Sequence, residues 1–340
     1  MEIQTNISFR DLTTINLGGP IKYFATIHDI KDIEEICNFA KNKSLPIYTI
    51  GGGSNVIAKD YVYNGIVVQN CIKGFEIISK DEESTIIKIG AGENWDSVVE
   101  KSVSMNLSGI EAMSAIPGTA GATPVQNVGA YGQEISDTIS SLEAYDKNTN
   151  KIVHISNSEC KFSYRNSIFK EEQVGRYIIT SITIKLKTNQ MSPPFYNSLQ
   201  KYLDENKIFD YTPQIIRKAV IEIRKNKLPD PKILPNCGSF FKNIIINSDK
   251  IYEIKKNYPD VPVYEISDDK FKIPAGWLIE RSGLKGKLIN GIRIYENNAM
   301  ILVNESANSY DDLHTARNKI IETVKEKFDV IIEQEPIEIQ

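Results

Sequence analysis

Gly51-Gly52-Gly53-Ser54-Asn55 places several unhindered backbone N–H groups at one turn, which is how a chain closes on a pyrophosphate. It is not the Rossmann fingerprint, because Val56-Ile57 follows with no helical start. Taken alone it reads equally as a tight turn. A second loop shifts that balance. Ile116-Pro117-Gly118-Thr119-Ala120-Gly121-Ala122-Thr123-Pro124-Val125-Gln126-Asn127-Val128-Gly129-Ala130-Tyr131-Gly132 is built from small residues that admit a flat ring. Its backbone and amide groups hydrogen-bond such a ring without adding charge. The pair fits a nucleotide-plus-ring cofactor divided between two loops.

Three further clusters carry polar chemistry. Cys160-Lys161-Phe162-Ser163-Tyr164-Arg165-Asn166-Ser167 presents one arginine beside aromatics, either a ligand contact or a surface arginine stacked on Tyr164. Asn236-Cys237-Gly238-Ser239-Phe240-Phe241-Lys242-Asn243 sets a serine after a flexible glycine and ahead of two anchoring phenylalanines. It lacks the Gly-x-Ser-x-Gly elbow and has no histidine nearby, which argues against a hydrolase nucleophile. Ser239 is then a proton donor, a ligand hydrogen bond or a turn serine. Glu333-Gln334-Glu335 lies in an alternating pattern that predicts both carboxylates on one strand face.

The elements that must position these groups are mixed α and β, with no internal repeat. Ile30, Ile33, Cys37 and Ala40 predict a helix that leads through Pro46 into a strand at 47–50. Strand-like runs follow at 65–69 and 85–89, then a helix bearing Trp95, Val98, Val99 and Val103. From Ala112 to Gln133 the chain carries no charge, yet lacks the apolar run of a core strand. It reads as a buried loop lining something. Strands resume at 139–145, 151–155 and 177–187, the first two joined by Asn148-Thr149-Asn150. Thr212-Pro213 opens a helix with Ile216, Val220 and Ile223 buried, and a domain boundary falls at Lys227-Leu228-Pro229-Asp230-Pro231. A last amphipathic helix bears Leu313, Ile320, Val324 and Phe328, and a strand-like tail runs over 330–339.

At 340 residues, two or three domains are expected. A net charge of -4 with scattered lysines argues against general nucleic-acid binding. The N-terminus lacks a signal peptide's basic start and apolar core, and no long apolar run occurs. A cytoplasmic protein without a membrane partner is expected. Cys37, Cys71, Cys160 and Cys237 are far apart and only His28, His154 and His314 are present, so neither a metal site nor a disulfide frame is expected.

In this order the five segments resemble the UDP-N-acetylenolpyruvoylglucosamine reductases, flavoproteins that make UDP-N-acetylmuramic acid for bacterial peptidoglycan. The marks are Gly-Gly-Gly-Ser-Asn at 51–55, Ile116-Pro117-Gly118 with the 126–132 run, Tyr164-Arg165-Asn166-Ser167, Gly238 through Asn243, and Ala275-Gly276-Trp277-Leu278-Ile279. The resemblance covers essentially the whole chain. It implies an α+β protein with a two-lobed FAD-binding domain of the vanillyl-alcohol-oxidase-like type over 17–188, its lobes about 1–70 and 71–188, the tail 329–340 returning to it. A connecting segment at 189–226 and a C-terminal α+β substrate-binding domain at 227–328 complete the layout. The cofactor-binding set it implies is Gly51, Gly52, Gly53, Ser54, Asn55, Ile116, Pro117, Gly118, Thr123, Gln126, Asn127, Gly129, Ala130, Tyr131 and Gly132.

The chain looks like the family's longer type, in which a tyrosine on a loop covers the substrate; Tyr196 is the candidate and Tyr202 the second. Tyr164, Lys227, Asn243, Tyr264 and Asn298 fall at substrate-binding positions. The family more often has glutamine or histidine than asparagine at 298, proline where Ile244 follows Asn243, and valine where Pro336 follows Glu335. The resemblance further implies two half-reactions. NADPH reduces non-covalent FAD, and hydride then passes from N5 to the enolpyruvyl carbon C3 of enolpyruvyl-UDP-GlcNAc. Arg165 would stabilise the developing enolate, Ser239 would protonate C2, and Glu335 would orient the intermediate or relay a proton. The expected assembly is a monomer. Alternatives are an oxidase of alcohols or lactones with the same two-loop fold, and a non-catalytic nucleotide-sugar binder with no need of the long uncharged loop. Many such oxidases tether the flavin through His or Cys, and neither glycine-rich loop contains one. FAD is therefore expected to co-purify and to leave the chain on denaturation; flavin remaining on the denatured polypeptide would favour the oxidase reading.

Overall fold

A computed structural model of the chain describes residues 1–339. The backbone divides into two compact units, one comprising 1–7, 21–52 and 63–226, the other 8–20, 53–62 and the chain from 227 on.

In the first unit, the apolar spacing after Asp29 gives the helix Ile30–Asn42, capped by the Asp29 carboxylate accepting from the Asp32 N–H at 3.0 Å. Its inner residues Ile33, Ile36 and Ala40 pack on Ile27, Ile66 and Val68. These strands belong to a mixed sheet in the order Ile3–Gln4, Pro20–Ile27, Tyr63–Asn70, Ile47–Ile50, with Ile7–Ser8 also paired to Pro20–Ile27. Pro20–Ile27 and Ile47–Ile50 both run parallel to Tyr63–Asn70, so the helix serves as the crossover that a parallel connection needs.

An antiparallel sheet follows, ordered Lys151–Ser156, Ile139–Asp146, Tyr177–Lys187, Ser84–Gly90, Phe75–Lys80. On it lies the helix Trp95–Ser104, whose Trp95, Val98, Val99 and Val103 meet Ile87, Ile89, Ile182 and Ile184. Each such buried side chain stabilises by roughly 1.5–3 kcal/mol. The Trp95 indole N–H donates to the Met113 carbonyl at 3.2 Å, so this core fixes the start of the uncharged loop. The helix Pro213–Lys227 buries Ile216, Val220 and Ile223 against Phe195, Leu199 and Leu203.

The second unit has one antiparallel sheet ordered Asn236–Ser239, Ile301–Asn304, Ile292–Ile294, Leu288–Ile289, and another ordered Ile244–Ile246, Lys270–Ile273, Tyr264–Ser267. Its helix Tyr310–Phe328 starts at a capping box, with the Ser309 hydroxyl 2.9 Å from the Asp312 carboxylate and receiving the Asp312 N–H at 3.1 Å. Leu313, Ile320, Val324 and Phe328 enter the core. Antiparallel sheets with helices packed on them predominate, an α+β arrangement.

Compactness does not follow the chain numbering throughout. The first unit ends at Asn226 and the second resumes at Lys227. Residues 8–20 and 53–62, however, group with the C-terminal part, because Ile15, Leu17 and Ile57 pack in its core. The tail is a strand only at Ile337–Ile339, where it pairs in parallel with Val56–Ala58. Before that, Gln334 makes a single antiparallel bridge to Phe241, and Pro336 has no N–H with which to extend a ladder. The expected common face for Glu333 and Glu335 therefore does not form. Glu333 is exposed and pairs with Lys242 at 3.2 Å, whereas Glu335 is buried.

One buried carboxylate makes the first unit's stability pH-dependent. Asp146 accepts from Arg176 Nε at 3.0 Å and Nη2 at 2.7 Å, and from the Asn148 N–H at 2.9 Å. Chiefly through the Arg176 hydrogen bonds, its carboxyl is held down at about 2, from 3.8. A depressed folded-state value contributes stability that is present above the unfolded value and lost as pH falls through the folded one. Relative to wild type, Asp146→Asn should flatten the fall in Tm between about pH 4 and pH 2; parallel curves across that window would show that the pair does not control it.

Candidate active site

The first glycine loop is shaped by what its glycines lack. A methyl on Gly51 would lie 2.4 Å from Thr119 Oγ1, and one on Gly52 would lie 3.0 Å from the Gly118 Cα. The two predicted loops therefore meet closely, Gly52 against the main chain of Gly118 and Gly51 against the Thr119 side chain. Gly53 has φ +65°, and a Cβ there would come within 1.8 Å of the Leu12 carbonyl oxygen.

The second loop is held by the antiparallel sheet and its helix. Trp95 N–H donates to Gly118 O at 3.1 Å, Ala120 N–H to Glu93 O at 2.9 Å and Gly121 N–H to Ala91 O at 2.8 Å. Gln133 Oε1 accepts from the Ala112 N–H at 2.8 Å, which joins the two ends of the uncharged stretch. Gly129–Ala130 pairs with Gln133–Glu134, leaving Tyr131 at φ 50° and Gly132 at φ 88° as a two-residue turn of the kind that matches strand twist. Within the loop, Thr123 is buried and gives its hydroxyl proton to Ala120 O at 2.7 Å. Lys170 Nζ lies 3.4 Å from Gln126 Oε1. The cradle is neutral, narrow and rich in main-chain groups, which fits FAD: close approach for the pyrophosphate and a flat uncharged wall for the ring.

Arg165 stands on a tight hairpin in the same unit. Ser163 and Asn166 exchange N–H···O bonds of 3.1 Å each, leaving Tyr164 and Arg165 between them. Arg165 takes φ 55°, a left-handed conformation uncommon for arginine. Its guanidinium carbon lies 5.2 Å from the Tyr164 ring centroid, and Nη2 donates to Gly129 O at 3.1 Å. A permanent cation is thereby fixed to the second glycine-rich loop.

The candidate covering tyrosines differ in setting. Tyr196 is exposed, with its ring edge-to-face with Tyr131 at 6.0 Å, whereas Tyr202 packs with the Phe195 and Leu199 cluster. Burial raises the Tyr131 hydroxyl above its ordinary value, and the Arg224 charge opposes that rise.

In the second unit, Asn236 prepares the serine. Its Nδ2 donates to Leu234 O at 2.7 Å and its Oδ1 accepts from the Gly238 N–H at 2.9 Å. Gly238 turns at φ +75°, and Ser239 pairs with Ile301 before the fully buried Phe240 and Phe241 anchor the strand. Phe240 N–H donates to Met300 O at 2.7 Å, and Phe240 O accepts from Glu335 N–H at 2.9 Å. The backbone of Glu335 is thus tied to the residue after Ser239. Burial, reinforced by the Glu335 charge, pushes the Cys237 thiol up to about 12, so it stays protonated. Asn243 Oδ1 accepts from Ala275 N–H at 3.1 Å, and Asn298 Oδ1 would be 3.9 Å from a Cβ on Gly276. Both asparagines border the Ala275-Gly276-Trp277 motif. Tyr264 lies on an exposed strand with Lys272 Nζ 6.0 Å from its ring centroid, and Lys227 ends its helix exposed.

Residue spacing gave no sign of Asp96 and Arg217, which lie far apart in sequence. Arg217 Nη1 and Nη2 reach the Asp96 carboxylate at 2.5 and 3.0 Å, and Asp96 Oδ1 also accepts from Ala115 N–H at 2.6 Å. Burial of Asp96 opposes its charge, but these hydrogen bonds outweigh it and keep the carboxyl below its ordinary value. The available signal was an arginine beside Ile216 on the apolar stripe of the helix Pro213–Lys227. Among the described residues, no cluster of His, Cys, Asp and Glu is placed to hold a metal ion, and no helix is long and apolar enough to cross a membrane.

Comparison with known proteins agrees with this geometry. Residues 21–156 match the FAD binding domain family, and 230–339 match the C-terminal domain family of UDP-N-acetylenolpyruvoylglucosamine reductase. The UDP-N-acetylenolpyruvoylglucosamine reductase of Flavobacterium johnsoniae is 38% identical, covering 98% of this chain and 99% of that protein. The protein of the same name from Chromobacterium violaceum is 33% identical over 99% of both chains. A crystal structure of the Thermus caldophilus UDP-N-acetylenolpyruvylglucosamine reductase covers 100% of both chains with a TM-score of 0.69 at 19% identity, a likeness of fold. With 33–38% identity sustained over essentially the whole length, this chain belongs to the UDP-N-acetylenolpyruvoylglucosamine reductase family and is an FAD-dependent oxidoreductase.

Proposed function

We propose that this chain reduces enolpyruvyl-UDP-GlcNAc to UDP-N-acetylmuramate with NADPH, as a cytoplasmic monomer, using Arg165, Ser239 and Glu335. The observation that carries the assignment of roles is Arg165 Nη2 donating to Gly129 O at 3.1 Å, which fastens a permanent cation to the ring-binding loop. The chemistry that FAD supplies when bound is hydride transfer from NADPH to the enolpyruvyl C3.

Arg165 holds the substrate carboxylate and stabilises the negative charge that grows on it as C3 is reduced. Because its donors are already oriented by Gly129 O and the Tyr164 ring, little reorganisation is needed as that charge develops. Ser239 gives its proton to C2, a role favoured by a hydroxyl on a strand immobilised by Phe240 and Phe241. Glu335, buried and bound through its backbone to Phe240, orients the intermediate or resupplies that proton. Lys227 meets the substrate diphosphate as a mobile point charge. Asn243, Tyr264 and Asn298 contact the sugar and diphosphate, Tyr164 lines the substrate side of the Arg165 hairpin, and Tyr196, exposed and with its ring against Tyr131, covers the substrate. The oxidase reading has less behind it, since the full-length relatives carry the reductase name and neither loop offers a His or Cys tether.

Ser239→Ala should bind FAD and be reduced by NADPH at nearly the normal rate, while reoxidation by enolpyruvyl substrate falls by roughly 10²–10⁴-fold. Rapid mixing of the two half-reactions reads this directly; equal slowing of both, or none in the second, would remove Ser239 as the acid and leave Glu335. Lys227→Ala should raise the substrate KM clearly with FAD still bound, and an unchanged KM would take Lys227 out of the site.

A further inference from the structure

Asn127 sits in the ring-binding loop at φ 48°, a conformation that asparagine tolerates, and is 1% exposed. Its side chain is spent within the protein. Nδ2 donates to Glu134 Oε2 at 2.7 Å and to Ser163 O at 3.2 Å, while Oδ1 accepts from Ser136 N–H at 3.1 Å. Both amide protons and an acceptor position are therefore engaged. The Ser163 carbonyl is the same one that receives the Asn166 N–H and closes the Tyr164-Arg165 hairpin. Two more bonds bind the two segments: Ser167 Oγ donates to Val125 O at 2.6 Å, and Arg165 Nη2 to Gly129 O. Arg165 itself is in a left-handed backbone conformation, which persists only where its surroundings over-determine it.

From these contacts we infer that Asn127 is a positioning residue for Arg165 and not a ligand of the cofactor. Its amide clamps the carbonyl at the base of the hairpin, so the guanidinium keeps its aim along the 129–132 turn. The inference rests on the role given above to Arg165. It separates the loop into residues that line the cofactor and one that faces away from it to hold the catalytic cation.

The test is Asn127→Gly, which suits the left-handed φ and removes the amide, alongside Asn127→Asp, which turns two donors into acceptors facing Glu134 and the Ser163 carbonyl. Arg165→Lys and the Asn127→Gly/Arg165→Lys double variant complete a cycle. FAD content, melting temperature and both half-reactions are measured for each. Both Asn127 variants should retain FAD and accept electrons from NADPH near the wild-type rate, while reoxidation by enolpyruvyl-UDP-GlcNAc slows by about 10–10²-fold, the usual cost of a misplaced group. In the Arg165→Lys background, Asn127→Gly should cost little more, because its effect acts through the arginine. Loss of FAD, or equal slowing of both half-reactions, would overturn the inference in favour of a cofactor ligand or a folding role. If Arg165→Lys slows reoxidation and the Asn127 variants do not, the inference alone fails. If Arg165→Lys also leaves reoxidation unchanged, the role of Arg165 fails and the inference with it. Should Asn127→Gly not fold, Asn127→Asp gives the same discrimination.

Discussion

The contact of Gly51 and Gly52 with Gly118 and Thr119 is possible only because no Cβ intervenes, and it holds the first unit's two glycine-rich loops together. Such a close approach leaves N–H groups, carbonyls and small side chains, rather than long ones, as the material of the loops' surface. Such a surface is polar yet uncharged and geometrically fixed, and a ligand seated on it would not incur an ordering cost in flexible side chains. The same economy of atoms is costly in the unfolded chain, where glycine has the most freedom to lose. That cost is met by the surrounding apolar core, in which Trp95, Val99, Ile87 and Ile184 are fully buried.

Charge has been kept out of the loop and gathered behind it. Asp96 and Arg217 sit one layer away, and through Ala115 their pair fixes where the loop begins. Removing either partner would leave the other half-compensated in a shielded setting, which is more damaging than losing an exposed pair. At the opposite end, Gln133 ties the loop closed with a neutral amide. In the second unit the aim is similar but the means are apolar: Phe240 and Phe241, with ring centroids 5.2 Å apart, hold the serine strand by packing.

Much of this was legible in the residues. The helices Ile30–Asn42, Trp95–Ser104 and Tyr310–Phe328 announce themselves by periodicity, and the glycine loops by composition. What was not legible depends on chain reversal. The resemblance puts Asn127 in the cofactor-binding set, and only the fold shows its amide directed at Ser163 and Glu134. Glu333 and Glu335 alternate as a strand would, but a single bridge and a proline leave the segment irregular, so one carboxylate is solvated and the other buried. Ile15, Leu17 and Ile57 are apolar residues near the N-terminus that give no local hint of packing with the C-terminal third. Tyr196 and Tyr202 could be told apart only by their neighbours.

That distant packing also bears on how the chain is made. The Asn304 amide donates to the Ile15 carbonyl across 289 residues of sequence, and Val56–Ala58 waits for Ile337–Ile339 to complete its pairing. A ribosome releases Ile15, Leu17 and Ile57 long before their partners exist, so these side chains spend most of translation in water. The second unit is therefore completed only near the end of synthesis, and contacts of such range make it the slower of the two to assemble. A nascent chain stalled midway would carry a finished sheet of local strands beside an orphaned apolar segment, the kind of exposed surface that chaperones recognise.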